Sequence, residues 1–290
     1  MPLSLRELHK GFAHEVLGLD LGHPLPAVTV AALQDAIDRH GVLVFRGQHL
    51  DDTSQIAFAR LFGPPERFVL SYRPGIALRL SQPEMVDVSN LDAATGKPQD
   101  RHARHRMVNL GNRLWHTDSS FKQMRGALSM LYAHTVPPSG GETEYGDCRT
   151  AYDRLPAATQ QQIDSLQAQH SLMHSRATLG FADFTPEEHA ALPPSVHPLV
   201  SVSRTTGRKA IYVASHASHV LDMPIAEGRL LIADLIEAAT KPDLVYRHAW
   251  QVGDLVVWDN RCTLHRGMPF DESYPRDLRR VTTSDVTSPR

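Results

Sequence analysis

Apolar and polar residues follow a helical spacing near the start of the chain. Val30, Leu33 and Ile37 recur at the helical period, so they lie on one face of a predicted helix. Thr29 is a candidate N-cap for this helix, and Gly41 is a candidate C-terminal stop. The pattern therefore predicts an amphipathic helix that starts near Thr29 and ends at the glycine.

The next segments predict a strand, a second helix and a long irregular region. VLVF at 42–45 has the length and composition of a buried strand. DDTSQIAFARLFG predicts a helix from about Asp52 to Gly63, where a proline pair forbids continuation. Residues 66–112 show no sustained period, so we expect long loops with short strands. Because such segments are often functional, we predict an active-site lid within 66–112.

From Trp115 onward, the chain has the pattern of a mainly β protein. ALSMLYAHTV and DLVVWDNRCTLH are separated by turn clusters such as PPSGG. Two helices are expected to interrupt the strands, one near 157–168 and one in IAEGRLLIADLIEAAT, whose apolar pairs repeat at an i,i+4 step. Since no repeat or linker is present, residues 1–290 are predicted to form a single domain. The predicted fold class is mainly β with flanking helices, a double-stranded β-helix or jelly roll.

Composition narrows the classes of partner. The 290 residues are 41% hydrophobic and 21% charged, which is ordinary for a globular protein. A formal net charge of -2 provides no basic field to attract nucleic acid or an anionic membrane. No apolar run is long enough to span a bilayer, and the first residues lack the apolar run of a signal peptide. We therefore predict a cytoplasmic protein that binds a small molecule, with no nucleic-acid or membrane partner.

Cysteine usage limits the kind of metal site. Cys148 and Cys262 are the two cysteines of the chain, and they do not form a CxxC pair. This argues against both a disulfide framework and a thiolate zinc site. Any metal must be held by histidine and carboxylate.

LWHTDSSF contains a candidate metal-binding pair. His116 and Asp118 are two residues apart, a spacing that points both side chains to one face of a strand. They would supply two of the three ligands of a 2-His-1-carboxylate iron site. With 17 histidines in the chain, the pair alone is weak evidence, and a solvated strand end is the alternative. His265, which follows the apolar strand LVVWDN, is the candidate third ligand, since a jelly roll can bring a late strand opposite an early one.

The basic segment PRDLRR follows His265 and adds candidate anion-binding residues. Arg276 and Arg280 are expected near the metal, where the planar fork of arginine can bind a carboxylate through two hydrogen bonds. The alternative is that they form ordinary ion pairs on a solvated face. For Arg279 we prefer that alternative.

Several motifs together resemble a known family. WHTD, PPSGGETEY, WDNRCTLHR and PRDLRR, in this order, resemble the taurine dioxygenase superfamily of iron(II)/2-oxoglutarate-dependent enzymes over nearly the whole chain. Within it, VLVFRGQ, IAFARLFGP and SHASHV look most like the 2,4-dichlorophenoxyacetate dioxygenases, the branch that cleaves aryloxyalkanoates. The resemblance implies a jelly roll that uses Fe(II), with 2-oxoglutarate as co-substrate and O2 as oxidant.

The resemblance also implies roles for individual residues. His116, Asp118 and His265 match the iron ligands. Arg276 matches the arginine that pairs with the distal carboxylate of 2-oxoglutarate, and Thr143 matches the threonine that supports it.

Three more residues match positions on the substrate side. Arg280 matches the arginine that meets the anionic group of the prime substrate, and Asn112 matches a position that lines the pocket. His216 lies in a segment near the active site and is a candidate substrate contact, with a structural histidine as the alternative. We assign no substrate role to a further set of aromatic and basic residues: Phe68, Tyr72, Arg73 and Arg79.

The implied reaction is hydroxylation of the carbon beside the ether oxygen of an anionic aryloxyalkanoate. The products would be a phenol and a 2-oxo acid, together with succinate and CO2. A taurine or alkylsulfonate dioxygenase is the nearest alternative, and a non-catalytic jelly-roll module that binds a small anion is an alternative of another class. We also expect the chain to form a homo-oligomer.

Overall fold

The computed structural model describes residues 3–67 and 78–286. The strands within these ranges are β1 Ser4–His9, β2 Ala13–Leu17, β3 Val42–Phe45, β4 Met85–Asp87, β5 Gly126–Thr135, β6 Thr143–Asp147, β7 Gln167–His170, β8 Ser195–Pro198, β9 Val200–Val202, β10 Lys209–Ile211, β11 Ala217–Val220, β12 Val245–His248, β13 Leu255–Asp259, β14 Thr263–Gly267 and β15 Asp277–Ser284. The α-helices are α1 Ala27–His40, α2 Asp52–Arg60, α3 Arg104–Asn109, α4 Cys148–Arg154, α5 Ala157–Ile163, α6 Leu172–Ala177, α7 Pro186–Ala191 and α8 Ile225–Ala239. Short 3-10 helices lie at Leu110–Arg113 and Pro242–Leu244.

The strands form one large sheet and three small ones. The large sheet has the order β1-β2-β3-β13-β5-β15-β4 and is antiparallel except where β2 pairs with β3. A second sheet has the order β12-β6-β14, and the remaining sheets are β11-β7-β8 and β10-β9. At the centre of the large sheet, β13 lies between β3 and β5 and β15 lies between β5 and β4, so the core strands come from both halves of the sequence.

Strand β13 shows why the centre of the large sheet is apolar throughout. Its side chains alternate between two cores, because successive residues of a strand point to opposite faces. Leu255 and Val257 pack in the core that contains the buried faces of α1 and α2. Val256 and Trp258 pack on the other side, in the core shared with Tyr145 of β6. A strand buried on both faces requires an unbroken apolar run, and each fully buried aliphatic side chain contributes about 1.5–3 kcal/mol.

Helix α1 confirms the predicted stop but not the predicted cap. It begins at Ala27 after Pro26, so Thr29 lies inside the first turn and caps nothing. Gly41 ends the helix with a φ of 80°, and its N–H donates to the carbonyl of Ile37 at 2.8 Å. Glycine adopts this left-handed conformation without the strain that a side chain would add.

Helix α2 is shorter than predicted. Asp51 and Ser54 form a capping box at its start, while the α-helix ends at Arg60 rather than at Gly63. The N–H of Leu61 donates to Phe58, three residues back, so the last turn tightens before the glycine.

The region of 66–112 contains helical structure that was not predicted. Helix α3 and the 3-10 helix that follows it lie where we expected loops and short strands, of which β4 is present. The predicted helix near 157–168 ends at Ile163, because β7 begins at Gln167. Helices α4, α6 and α7 were also missed, since six or seven residues carry less than two turns of helical period. The helix predicted from the repeated apolar pairs is confirmed as α8.

Other predictions from the sequence have different outcomes. Cys148 and Cys262 are both free and buried, in agreement with the absence of a disulfide framework. Among the helices within 3–67 and 78–286, none has the length and apolar character needed to cross a bilayer. The single domain stays a prediction. Phe68, Tyr72 and Arg73, like part of the predicted lid, lie outside the described residues.

Candidate active site

The three candidate metal ligands meet beside β14, the edge strand of the small sheet β12-β6-β14. His116 and His265 form an isolated antiparallel bridge, in which each N–H donates to the other residue's carbonyl at 3.0 and 2.8 Å. Asp118 follows two residues later, and its carboxylate oxygens lie 3.9 Å from Nε2 of His116 and 3.7 Å from Nε2 of His265. All three side chains are buried, and their ligand atoms lie within 4.8 Å of one another.

The protonation of the two imidazoles suits a divalent metal. Burial lowers the pKa of His116 to about 4, although the charge of Asp118 opposes the shift. Burial, followed by the neighbouring His116, holds the pKa of His265 well below its ordinary value. Nδ1 of His116 lies 2.7 Å from the carbonyl oxygen of Leu114, so it carries the proton and leaves the Nε2 lone pair free. Two neutral imidazoles and one carboxylate are a donor set that fits iron(II).

The carboxylate of Asp118 is fixed on both oxygens. The hydroxyl of Ser129 donates to Oδ2 at 2.7 Å, and Nη1 of Arg280 donates to Oδ1. Burial raises the pKa of Asp118, but the charge of Arg280 leads the causes that bring it below its ordinary value, so the group is ionised. These contacts set the orientation of the carboxylate, as supports around metal ligands commonly do.

Asn260 connects this arrangement to the core. Its side-chain oxygen accepts from the backbone N–H of Asp118 at 3.2 Å and from Nε1 of Trp258 at 2.9 Å, while its Nδ2 donates to Ser129 at 2.9 Å. The tryptophan ring in turn packs 4.7 Å from the ring of His265. We missed the role of Ser129 in the sequence, although a signal was present: it is a polar residue inside the apolar run ALSMLYA.

A cavity of about 110 Å³ adjoins the two histidine ligand candidates. His116 and His265 line one part of its wall, and Thr143 and Arg276 line another. This volume exceeds the space of one water molecule several-fold, so the cavity has room for a small organic anion. Apolar side chains complete much of the wall: Val88, Leu131, Trp258, Met268 and Phe270.

Arg276 is a buried cation that lacks an acidic partner within 3–67 and 78–286. Its guanidinium donates to the carbonyl oxygens of Val88 at 3.1 Å and Gly141 at 3.2 Å, and its buried Nε makes no hydrogen bond. Burial lowers its pKa to about 10, so it still carries its charge at neutral pH. A buried charge without a counterion is unfavourable, and an anion in the cavity would relieve this. The hydroxyl of Thr143 accepts from Nε1 of Trp250 at 3.0 Å, and a hydroxyl can donate its own proton at the same time.

The segment before Arg276 is held by Asn90. Oδ1 of Asn90 accepts from the backbone N–H of Arg276 at 2.8 Å, and its Nδ2 donates to the carbonyls of Glu272 and Tyr274. The carboxylate of Glu272 pairs with two further arginines of the cavity wall, Arg106 and Arg113. Those two cations therefore have an acidic partner, whereas Arg276 has none among the residues that the structure describes.

The remaining candidates fall in different places. Arg280 and Asn112 line the cavity, as predicted for substrate-binding residues. His216 lies behind His116, with the two rings 5.9 Å apart at 80°, and it is not part of the cavity wall. Its Nδ1 lies 2.9 Å from the hydroxyl of Ser175, a contact typical of a structural histidine. The functional roles of all the candidate residues stay predictions.

The family model for the taurine catabolism dioxygenase TauD, TfdA family, matches residues 4–282. The chain belongs to this family. As a TauD/TfdA family member, it is 46% identical to the α-ketoglutarate-dependent 2,4-dichlorophenoxyacetate dioxygenase of Cupriavidus pinatubonensis, over 98% of this chain and 99% of that protein. It is 34% identical to the (S)-phenoxypropionate/α-ketoglutarate-dioxygenase of Delftia acidovorans, over 85% of this chain and 83% of the relative.

A solved structure is similar over almost the full length. The crystal structure of AAD-2 in complex with Mn(II) and N-oxalylglycine superposes with a TM-score of 0.92 at 42% identity, covering 98% of each chain. The matches confirm the family resemblance inferred from the motifs and the predicted jelly-roll fold class. They also confirm that the chain is an oxidoreductase of the dioxygenase type.

Proposed function

We propose that this family member uses iron(II) and 2-oxoglutarate to hydroxylate an anionic aryloxyalkanoate. The observation that carries the proposal is a single cavity with two chemically different parts. One part is lined by His116 and His265, which form a donor set with Asp118, and the other presents the buried cation of Arg276 with no carboxylate from the described chain.

The ligand set would hold the metal with coordination positions left open. His116, Asp118 and His265 would occupy one face of the iron, as a 2-His-1-carboxylate site does. Bound iron(II), 2-oxoglutarate and O2 would together supply the oxidation of a C–H bond, with release of succinate and CO2. Ser129 and Arg280 hold Asp118 in one orientation, so the ligands need little rearrangement to bind the metal.

Arg276 and Thr143 would bind the distal carboxylate of 2-oxoglutarate. The backbone carbonyls of Val88 and Gly141 fix two corners of the guanidinium, and its unpaired Nε is available for an anion. Since this part of the cavity is buried, hydrogen bonds to the carboxylate would meet little competition from water. The neighbouring threonine hydroxyl would add one donor.

The prime substrate would lie over the apolar part of the cavity wall. Arg280 would meet its carboxylate, and Asn112 would contact it from the 3-10 helix. Hydroxylation beside the ether oxygen gives a hemiacetal, which breaks down to a phenol and a 2-oxo acid. The names of the relatives, which act on 2,4-dichlorophenoxyacetate and (S)-phenoxypropionate, support an aryloxyalkanoate as the substrate class. The homo-oligomer, the lid and the cytoplasmic location stay predictions.

Anaerobic reconstitution tests the proposal. The protein is loaded with iron(II) and 2-oxoglutarate, exposed to oxygen with a panel of aryloxyalkanoates and alkylsulfonates, and assayed for succinate, phenol and sulfite. Phenol in proportion to succinate is expected, with the Asp118→Asn variant as the blank. Sulfite without phenol would replace the aryloxyalkanoate with a sulfonate, and no succinate with any compound would indicate a non-catalytic anion-binding module.

A further inference from the structure

A second buried arginine lies close to the candidate metal site. Arg176, on α6, is 6% exposed. Its Nε donates to the carbonyl of Val108 at 3.0 Å, and its Nη1 donates to the hydroxyl of Ser175 at 2.9 Å. Within the described parts of the chain, Nη2 has no hydrogen-bond acceptor and no carboxylate pairs with the group. A buried charge left in this state needs an explanation, because proteins normally pair such groups.

Another buried arginine shows how this protein holds a structural one. Arg149 is 2% exposed, and its Nε donates to the carboxylate of Asp147 at 3.0 Å. Its two terminal nitrogens donate to the carbonyls of Arg39 and His40 at 2.7 and 2.8 Å. Every nitrogen of Arg149 has an acceptor, and the charge has a counterion. Among the described residues, Arg176 forms no ion pair and its Nη2 has no acceptor.

Gly111 provides the space for the guanidinium of Arg176. A Cβ at this position would lie 2.2 Å from Cζ and 2.5 Å from Nη1 of Arg176, so no side chain fits there without displacing the group. The φ of Gly111 lies outside the left-handed region, so the backbone conformation alone does not demand glycine. Its neighbours Leu110 and Asn112 both line the cavity, and the guanidinium therefore lies directly behind the cavity wall.

Arg176 also shares contacts with the surroundings of the metal ligands. The hydroxyl of Ser175 donates to the carbonyl of Leu172 at 2.7 Å, so it accepts from both Arg176 and Nδ1 of His216. His216 packs edge-on against His116. Burial lowers the pKa of Arg176 to about 10, the charge of Arg280 lowers it further, and the charge of Asp118 opposes the shift.

We propose that Arg176, behind Gly111, completes an anion subsite with Arg280 and binds the carboxylate of the prime substrate. Arg280 donates to Asp118 through Nη1 while its buried Nε is unpaired, and Arg176 has Nη2 without an acceptor among the described residues, so each guanidinium has a donor left for an anion. An anion between the two cations would also remove their mutual repulsion. The inference rests on the proposed function, since it names the residue that selects the anionic substrate.

Equilibrium binding without oxygen tests this directly. Phenoxyacetate and its neutral amide, phenoxyacetamide, are titrated by calorimetry into protein loaded with iron(II) and 2-oxoglutarate. Because hydrogen bonds to a charged group contribute about 1.5–3 kcal/mol, Arg176→Met should raise the Kd for phenoxyacetate by about tenfold to 100-fold. The Kd values for phenoxyacetamide and for 2-oxoglutarate should change by less than about twofold, since neither contact involves this charge.

Two further variants separate binding from folding. Arg149→Met should lower the free energy of unfolding while leaving the Kd for phenoxyacetate unchanged, because Arg149 is structural. Gly111→Ala keeps the charge of Arg176 but displaces its guanidinium group. It should therefore weaken phenoxyacetate binding as Arg176→Met does. If Arg176→Met does not fold, the Kd for phenoxyacetate is measured with Gly111→Ala and Arg176→Lys instead.

Two results would overturn the inference. One is an unchanged Kd for phenoxyacetate in folded Arg176→Met, and the other is an equal loss for the acid and the amide. The proposed function fails in a different way, by the absence of succinate release when wild-type protein meets any aryloxyalkanoate. An active wild-type enzyme with an unaffected Arg176→Met variant therefore rejects the subsite alone.

Discussion

The two faces of β15 carry neighbouring arginines with opposite surroundings. Arg279 points to one face, where its Nη1 donates to Asp52 at 2.6 Å and its Nη2 donates to Asp277 at 2.9 Å. Arg280 points to the other face, lines the cavity and donates to the metal-ligand candidate Asp118. The alternation of side chains along a strand separates the two residues. Two adjacent arginines of one strand therefore have different chemical environments.

The face of β15 that carries Arg279, called the outer face below, is balanced in charge. The face that carries Arg280, called the cavity face, is not. Arg79 joins the outer cluster with paired hydrogen bonds to Asp87 and Asp277 at 2.6–2.8 Å. On the cavity side, Arg276 in the cavity wall and Arg176 behind it form no ion pair with a carboxylate among the described residues. A local surplus of buried cations identifies the place where ligand anions are expected, whereas an arginine with acidic partners serves the fold. The predictions below separate the two kinds of arginine.

The largest effect is expected from Asp118→Asn, which removes the negative ligand of the cavity face. The neutral amide binds a divalent cation weakly, and Arg280 loses its charged partner. We expect loss of bound iron and no detectable succinate. Metal content after gel filtration and an oxygen-uptake assay measure the two results. Full turnover by iron-loaded Asp118→Asn would reject the assigned ligand set.

A large effect on stability, without an effect on substrate binding, is expected from Arg79→Leu. Removing one partner of a mostly buried ion pair leaves the negative charge of Asp277 only partly compensated. The free energy of unfolding should therefore fall by about 3 kcal/mol at pH 7. Urea denaturation measures this. The KM for 2-oxoglutarate should not change, because Arg79 lies in the outer cluster.

The effect of Arg79→Leu should depend on pH. Burial raises the pKa of Asp277, but Arg79 and Arg279 hold it below its ordinary value in the folded protein. The ionised carboxylate therefore stabilises the fold at neutral pH, and this contribution is lost as the pH falls through the folded pKa. The difference between wild type and Arg79→Leu should shrink in acid. A difference that grew in acid would contradict the assigned ion pair.

Arg276→Leu should give the opposite pattern to Arg79→Leu. Loss of the buried cation should raise the KM for 2-oxoglutarate about tenfold to 100-fold, since hydrogen bonds to charged groups contribute about 1.5–3 kcal/mol. The metal-free variant should be at least as stable as the wild type, because an uncompensated buried charge is replaced by an apolar group. Steady-state kinetics and thermal unfolding supply the two measurements. A stability loss like that of Arg79→Leu would indicate an ordinary structural arginine.

Arg280→Ala should change both substrate binding and the acid limit of metal binding. The KM for the prime substrate should rise, while that for 2-oxoglutarate stays nearly constant. Arg280 is the foremost charge that lowers the pKa of Asp118, so its removal raises that pKa and lets protons compete with the metal. Iron affinity should therefore begin to fall at a higher pH than in the wild type. Metal titration at a series of pH values from 7 downward tests the shift.

The spacing of residues in the sequence indicated which side chains come together as metal-ligand candidates. It did not indicate which side chains hold them in place. The two-residue step from His116 to Asp118 fixes a common face, and strand alternation separates Arg279 from Arg280. The contacts of Ser129 with Asn260 and of Arg176 with Gly111 join residues far apart in the chain, so no local period reveals them. The same limit explains the short helices that were missed, since packing of neighbouring segments decides their length.

The smallest effect is expected from Arg279→Gln, on the balanced face of β15. The side chain of Arg279 is 20% exposed, and Asp277 keeps its paired hydrogen bonds to Arg79 after the change. We expect the free energy of unfolding to fall by about 1 kcal/mol or less, as for other partly exposed ion pairs. The KM for both substrates should stay within about twofold of wild type. A tenfold change in either KM would show that the outer face also contributes to binding, and the division between the two faces of β15 would then be wrong.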